Sequence, residues 1–151
     1  MGPELAAANS MNAFVVHLHA RFVDRHSCPF DIRVHEFGTF RNADYYDNTG
    51  FHYKTLLTAG GGQLTFTETA KGTTLTMQNQ PYLVVIKYNA DGSTSSADFA
   101  GLVFKFTLPG GGVVLLDTGR LVFDGDFNVT FEAGPHQQLH GDFDAFCAAF
   151  G

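Results

Sequence analysis

Arg33, His35, Glu36 and His52 are the side chains of this sequence best placed to move a proton. Histidine titrates near neutral pH and needs little tuning to act as acid or base. The tyrosines Tyr45, Tyr46, Tyr53, Tyr82 and Tyr88 could donate a hydrogen bond to a developing oxyanion. Such chemistry requires a polar group that faces an enclosed apolar space, and structural ion pairs are the commoner use of these residue types. His17 and His19 form a His-x-His pair that a strand would point the same way, a spacing metal sites use. A third ligand would have to come from His26, His35 or Asp24, and His136 and His140 sit four apart further on. Two histidines without a fixed third ligand make a weak motif, so no metal and no cofactor are expected.

Other chemistries find no support. There is no Gly-x-Ser-x-Gly elbow, and Ser93, Ser95 and Ser96 lie beside a turn. The runs Gly60-Gly61-Gly62 and Gly110-Gly111-Gly112 lack a following Lys-Ser or Lys-Thr, and each joins two strand patterns, which is not a phosphate loop. Asn128-Val129-Thr130 is a glycosylation sequon that matters only in a eukaryotic secretory host. Phenylalanine is more informative. Phe66, Phe99, Phe104, Phe106, Phe123 and Phe131 either line a space fitted to one small apolar ligand or fill a core.

The elements that would position these residues are strands. Phe14, Val16, Leu18, Ala20 and Phe22 alternate with a more polar set, a period of two that favours a strand over a helix. Pro29 starts the next strand, Phe30 to Phe37. Gly38 to Gly50 reads as a long irregular loop carrying Phe40, Tyr45 and Tyr46, a candidate lid. Strands then recur: 51–58, 63–69, 73–79, 82–88, 94–107, 113–117, 120–123 and 128–132, with turn residues between them. Gly101 is the expected bend of the long segment 94–107. Regular turn spacing without a long crossover predicts an all-β fold, an antiparallel up-and-down barrel of about eight strands. After it, Asp142 is a plausible N-cap, and Phe143, Phe146, Cys147 and Phe150 share one face of a short C-terminal helix.

Composition bounds the rest. The chain has 151 residues, one domain's worth, with residues 1–10 read as a leader or flexible arm and 11–151 as the domain. Its net charge of −6 and its scattered lysines and arginines exclude nucleic acid and an anionic membrane as partners. No apolar run is long enough to cross a membrane as a helix. Cys28 and Cys147 are either bridged across most of the chain or two free buried thiols.

Some of these residues resemble a known group. Cys28-Pro29-Phe30 at the start of the first sheet strand, Ala90-Asp91-Gly92-Ser93-Thr94, the segment Asp117 to Phe123, and Cys147 in a C-terminal helix are similar to small secreted proteins of actinobacteria. The similarity runs from about Cys28 to Phe150; the residues before Cys28 do not follow it. It implies secretion and a Cys28–Cys147 bridge and supplies no catalytic residues. The strand count also resembles the allene-oxide-cyclase and dirigent barrels, which guide cyclisation or coupling of apolar molecules; that is an analogy of architecture.

Three functions follow as expectations. The first is a secreted barrel that binds a small apolar molecule through Tyr45, Tyr46 and the phenylalanines above. The second is a cyclase or isomerase using Arg33, His35, Glu36 or His52. The third is an extracellular structural protein that forms homo-oligomers.

Overall fold

The computed structural model describes residues 9–78, 81–108 and 110–151. Among them the chain forms one antiparallel sheet of eight strands and one short helix. β1 (Ser10–Asp24) pairs along its whole length with β2 (Ile32–Tyr46). β2 pairs in turn with β3 (His52–Glu68). β3 is then shared: β5 (Tyr82–Tyr88) lies along its first half and β4 (Thr74–Gln78) along its second. β6 (Thr94–Leu108), β7 (Gly112–Asp124) and β8 (Val129–Ala133) complete the meander. The first strand is the one that period-two alternation predicts. Residues 1–8, the bulk of the expected arm, lie outside the described residues, as do Asn79 at the end of one expected strand and Pro109 in one expected turn.

The strands are longer and fewer than the turn residues suggest. Gly60-Gly61-Gly62 is not a turn: β3 runs straight through it. The register slips there against Gly38 and Phe40 of β2, and a Cβ on Gly60 would sit 2.6 Å from Thr39 Oγ1. Thr118-Gly119 likewise lies inside β7. The expected lid over Gly38–Gly50 is also corrected. β2 continues to Tyr46, and the true turn is only Asp47 to Phe51. β1 and β3 flank the polar run of β2 on both sides, and β2 runs alongside the glycines of β3, so ladder pairing satisfies the backbone more fully than local turns would and overrides the glycine and asparagine preferences. Gly101 is a bend as expected, at φ +108° beside a register slip between Leu102 and Phe104.

No ladder joins β1 to β8 among the described residues, so the sheet is open where a closed barrel was expected. β8 has five residues against fifteen in β1, and beyond it the chain keeps to the edge of β7, held by the Asp117–His136 bridge and by the bonds from Thr118 N–H to Pro135 O and from Gln137 N–H to Leu116 O. β1 is therefore an edge strand. Met11, Phe14, Val15 and Phe22 are about half exposed on it, and its charged side chains, Arg21 and Asp24, sit near one end.

One half of the sheet folds onto itself. Ile32 and Val34 of β2, Leu64 and Phe66 of β3, and Met77 of β4 meet Phe106 of β6 and Leu115 of β7. The helix α1 (Asp144–Ala148) lays Phe146 on this core and the turn after it lays Phe150 there, both 3% exposed. The Phe146 ring stands edge-on to Phe66, Phe106 and Phe150 at 5.2–6.0 Å between centroids. Asp142 is not the helix cap: the N-cap position is Phe143, and Asp142 accepts a hydrogen bond from Gln137 Nε2 at 3.1 Å. Cys28 and Cys147 are bridged, with Cα atoms 5.6 Å apart, which ties the helix to the start of β2.

Candidate functional site

The other half of the sheet does not close, and its inner face is apolar. Alternation decides which side chains stand there. Leu57, Val84, Phe99 and Leu121 are direct neighbours across β3, β5, β6 and β7. With Phe40, Tyr82, Ile86, Phe123 and Phe127, most of this row frames a groove of 590 Å³. A second hollow of 390 Å³ shares Phe99 and Phe123 and adds Val103, Leu121 and Leu139. The two hollows therefore form one apolar surface over β5 to β7. Asn42, opposite Leu57 on β2, is buried on the same face, and its Nδ2 makes no hydrogen bond of acceptable geometry.

A buried ion pair closes the second hollow. His136 Nδ1 lies 2.8 Å from Asp117 Oδ1, and both residues are buried. His136 Nε2 faces two carbonyl oxygens, Ala133 at 3.0 Å and Arg120 at 3.2 Å. Each nitrogen faces an acceptor, so each must donate, and the ring is an imidazolium. Burial opposes that charge most strongly of any one influence, but the hydrogen bond to Asp117, the bonds to the Ala133 and Arg120 carbonyls and the Asp117 charge together hold the pKa above the ordinary histidine value. With both nitrogens committed, His136 straps the segment after β8 to β7 and cannot serve as a free base. Glycine makes the strap possible: a Cβ on Gly119 would sit 2.2 Å from Ala133 O, and one on Gly134 would sit 2.5 Å from Thr118 O.

The sequence candidates for proton chemistry fall on different faces. Glu36 shares the inner side of β2 with Val34 and Phe40, between Ala20 and Leu64 of the flanking strands. It makes no hydrogen bond or ion pair among the described residues, and burial pushes its carboxyl above the usual range. Tyr82 lies close enough that burial and then the Glu36 charge raise its phenol, and its ring stands edge-on to Phe40 at 6.3 Å. Arg33 and His35 point to the opposite face. There His19 Nε2 and His35 Nε2 lie 2.7 Å apart, and slight desolvation, Arg21 and His19 lower the His35 pKa. Among the described residues no group of three or more His, Cys, Asp or Glu side chains is placed to hold a metal, so His17 and His19 acquire no third ligand.

His52 belongs to a polar cluster at the β2–β3 turn end. Thr55 Oγ1 donates to Asp44 at 2.7 Å and accepts from Tyr88 at 3.0 Å, so His52 Nε2 donates to it at 2.9 Å. Burial would raise Asp44, but the bond from Thr55 and the nearby Asn42 and His52 hold it below its ordinary pKa. Tyr46 packs against His52. Tyr45 faces the other way, under Lys54 Nζ at 4.4 Å.

The expected ligand-binding phenylalanines divide in three. Phe66, Phe104 and Phe106 pack in the filled half. Phe99 and Phe123 stand edge-on to each other in the groove. Phe131 lies on the outer face beneath the Arg120 guanidinium, 5.2 Å from its carbon. Leu57, Val84 and Phe127 are groove residues that sequence reasoning did not single out, and Phe40, expected on a lid, is a groove residue too. Alternation carried along β2 as one unbroken strand places Phe40 with Val34 and Glu36, whereas Leu57 reaches the face of Leu64 and Phe66 only through the register slip at the glycine run.

No known protein family, curated protein or solved structure matches this chain.

Proposed function

We propose that this protein acts outside the cell and binds a small, uncharged apolar molecule in the groove over β5, β6 and β7. The supporting observation is the 590 Å³ groove framed almost wholly by aromatic and aliphatic side chains. Its volume lies in the range of small-molecule sites, and covering apolar surface contributes roughly 25 cal/mol per Å². On this reading the sheet is a barrel opened along one side, its filled half serving as scaffold and its splayed half as binding site. The Cys28–Cys147 bridge supports an oxidising compartment. The free edge of β1 supports pairing with a second copy.

Titration with the uncharged dye N-phenylnaphthylamine tests the reading. A saturable fluorescence rise is expected. Phe99→Asp abolishes it, and Leu83→Asp, on the other face of β5, preserves it. A signal that never saturates, or equal binding by both variants, removes the groove as the site.

A second reading rests on Glu36. An unpartnered acid on an apolar face, with a phenol nearby, is equipped to move a proton on an apolar substrate, as a cyclase or isomerase must. Chromatography of recovered ligand separates the two. A pure binder returns it unchanged, whereas an enzyme returns an isomer that Glu36→Gln does not form.

A further inference from the structure

Three hairpin turns of this sheet are built on one plan. In the β2–β3 turn Asp47 N–H donates to Phe51 O at 2.9 Å and Gly50 N–H to Asp47 O at 3.1 Å. In the β5–β6 turn the pairs are Asn89 to Ser93 at 2.8 Å and Gly92 to Asn89 at 2.9 Å. In the β7–β8 turn they are Asp124 to Asn128 at 2.9 Å and Phe127 to Asp124 at 3.2 Å. The fourth residue of each turn takes left-handed backbone. Gly50 and Gly92 do so at φ +86°, but the third turn uses Phe127 at φ +62°. Among the described residues Phe127 is the only non-glycine with positive φ. Glycine or asparagine suits this position, and a bulky side chain there is strained.

The turn is held in spite of that strain. Asp124 Oδ1 accepts from the Asp126 and Asn128 amides, both at 2.9 Å, and Oδ2 accepts from Asn128 Nδ2 at 3.2 Å. The side chain gains little from folding, because Phe127 is 78% exposed. Its ring nonetheless lines the groove, in company with Phe99 and Phe123. Strain maintained by its surroundings, with no burial in return, marks a functional position.

We infer that Phe127 is the clamp of the apolar groove: its ring covers the bound apolar molecule from the β7–β8 turn and selects ligands that present an apolar face to it. The inference rests on the binding reading above. Phe127→Asn and Phe127→Gly test it, since both accept left-handed backbone. The Kd for N-phenylnaphthylamine should rise about tenfold in each, the factor that partial loss of one buried aromatic contact corresponds to. Phe127→Asn should unfold at the wild-type temperature or up to roughly 4 °C higher, as relief of strain requires. Wild-type binding with equally tight binding by both variants overturns the clamp and leaves the groove standing. Absence of saturable binding by the wild type overturns both. Loss of co-sedimentation with phosphatidylcholine vesicles, at unchanged dye affinity, reassigns the ring to a lipid surface and also overturns the clamp.

Discussion

Replacing Phe146 by alanine tests how the filled half of the sheet is held. Phe146 is 3% exposed and stands edge-on to Phe66, Phe106 and Phe150. Truncating a buried phenylalanine costs about 3–5 kcal/mol, the higher values arising where the surroundings cannot collapse into the space. Collapse is hindered here, because the neighbouring Cys147 is bridged to Cys28 and fixes the helix against the sheet. Each edge-to-face ring pair adds about 0.5–1.5 kcal/mol beyond burial, so we place the loss at about 4 kcal/mol. Small domains have only about 5–15 kcal/mol in total. Urea unfolding followed by circular dichroism, with the disulfide intact, reads the loss directly. For a urea slope of about 2 kcal/mol per M, the midpoint falls by about 2 M with the slope unchanged. Phe37→Ala, at a site 46% exposed on β2, should move it by less than about 0.5 M. A loss below about 1 kcal/mol for Phe146→Ala would refute the docked helix.

Two further outcomes follow from the same geometry. His136→Gln should destabilise most in mild acid: a pKa raised in the folded state contributes stability that is complete below the unfolded value of about 6.5 and is lost as pH rises through the folded value. A wild-type minus variant difference that stays flat from about pH 5 to pH 9 would contradict the imidazolium assignment. Cys28→Ser with Cys147→Ser should cost up to about 4–5 kcal/mol, since the bridge closes a loop with a sequence separation of 119. A thermal melt of the double variant superimposable on that of the wild type would show that the bridge restrains little.

Much of the architecture was legible. Alternation over Phe14 to Phe22 identified β1, the Asn89 to Gly92 signal identified the β5–β6 turn, and the stripe Phe143, Phe146, Cys147 and Phe150 identified the docked helix. These are local patterns, in which each residue's environment follows from neighbours a few positions away. Errors gathered where local and distant preferences conflict. Gly60–Gly62 and the polar run after Gly38 read as turns, yet β1 and β3 draw the polar run into the ladder and β2 carries the glycines along with it.

The candidate site shows the same division. Residue types alone provide the apolar surplus, the absence of a basic patch and the presence of Glu36 among possible acids. Which face Glu36 shares depends on the register of β2 against β1 and β3, because a one-residue slip would turn it outward beside Arg33 and His35. His136 and Asp117 are nineteen positions apart, and their pairing depends on the chain continuing in register along the edge of β7 beyond β8. The phenylalanines divide for the same reason. Hydrophobicity requires all of them to seek cover, but only the tertiary fold decides which find it: the disulfide and the helix seal one half of the sheet around Phe66 and Phe106, while among the described residues no strand or helix covers the other half, where Phe99, Phe123 and Phe127 line an open groove.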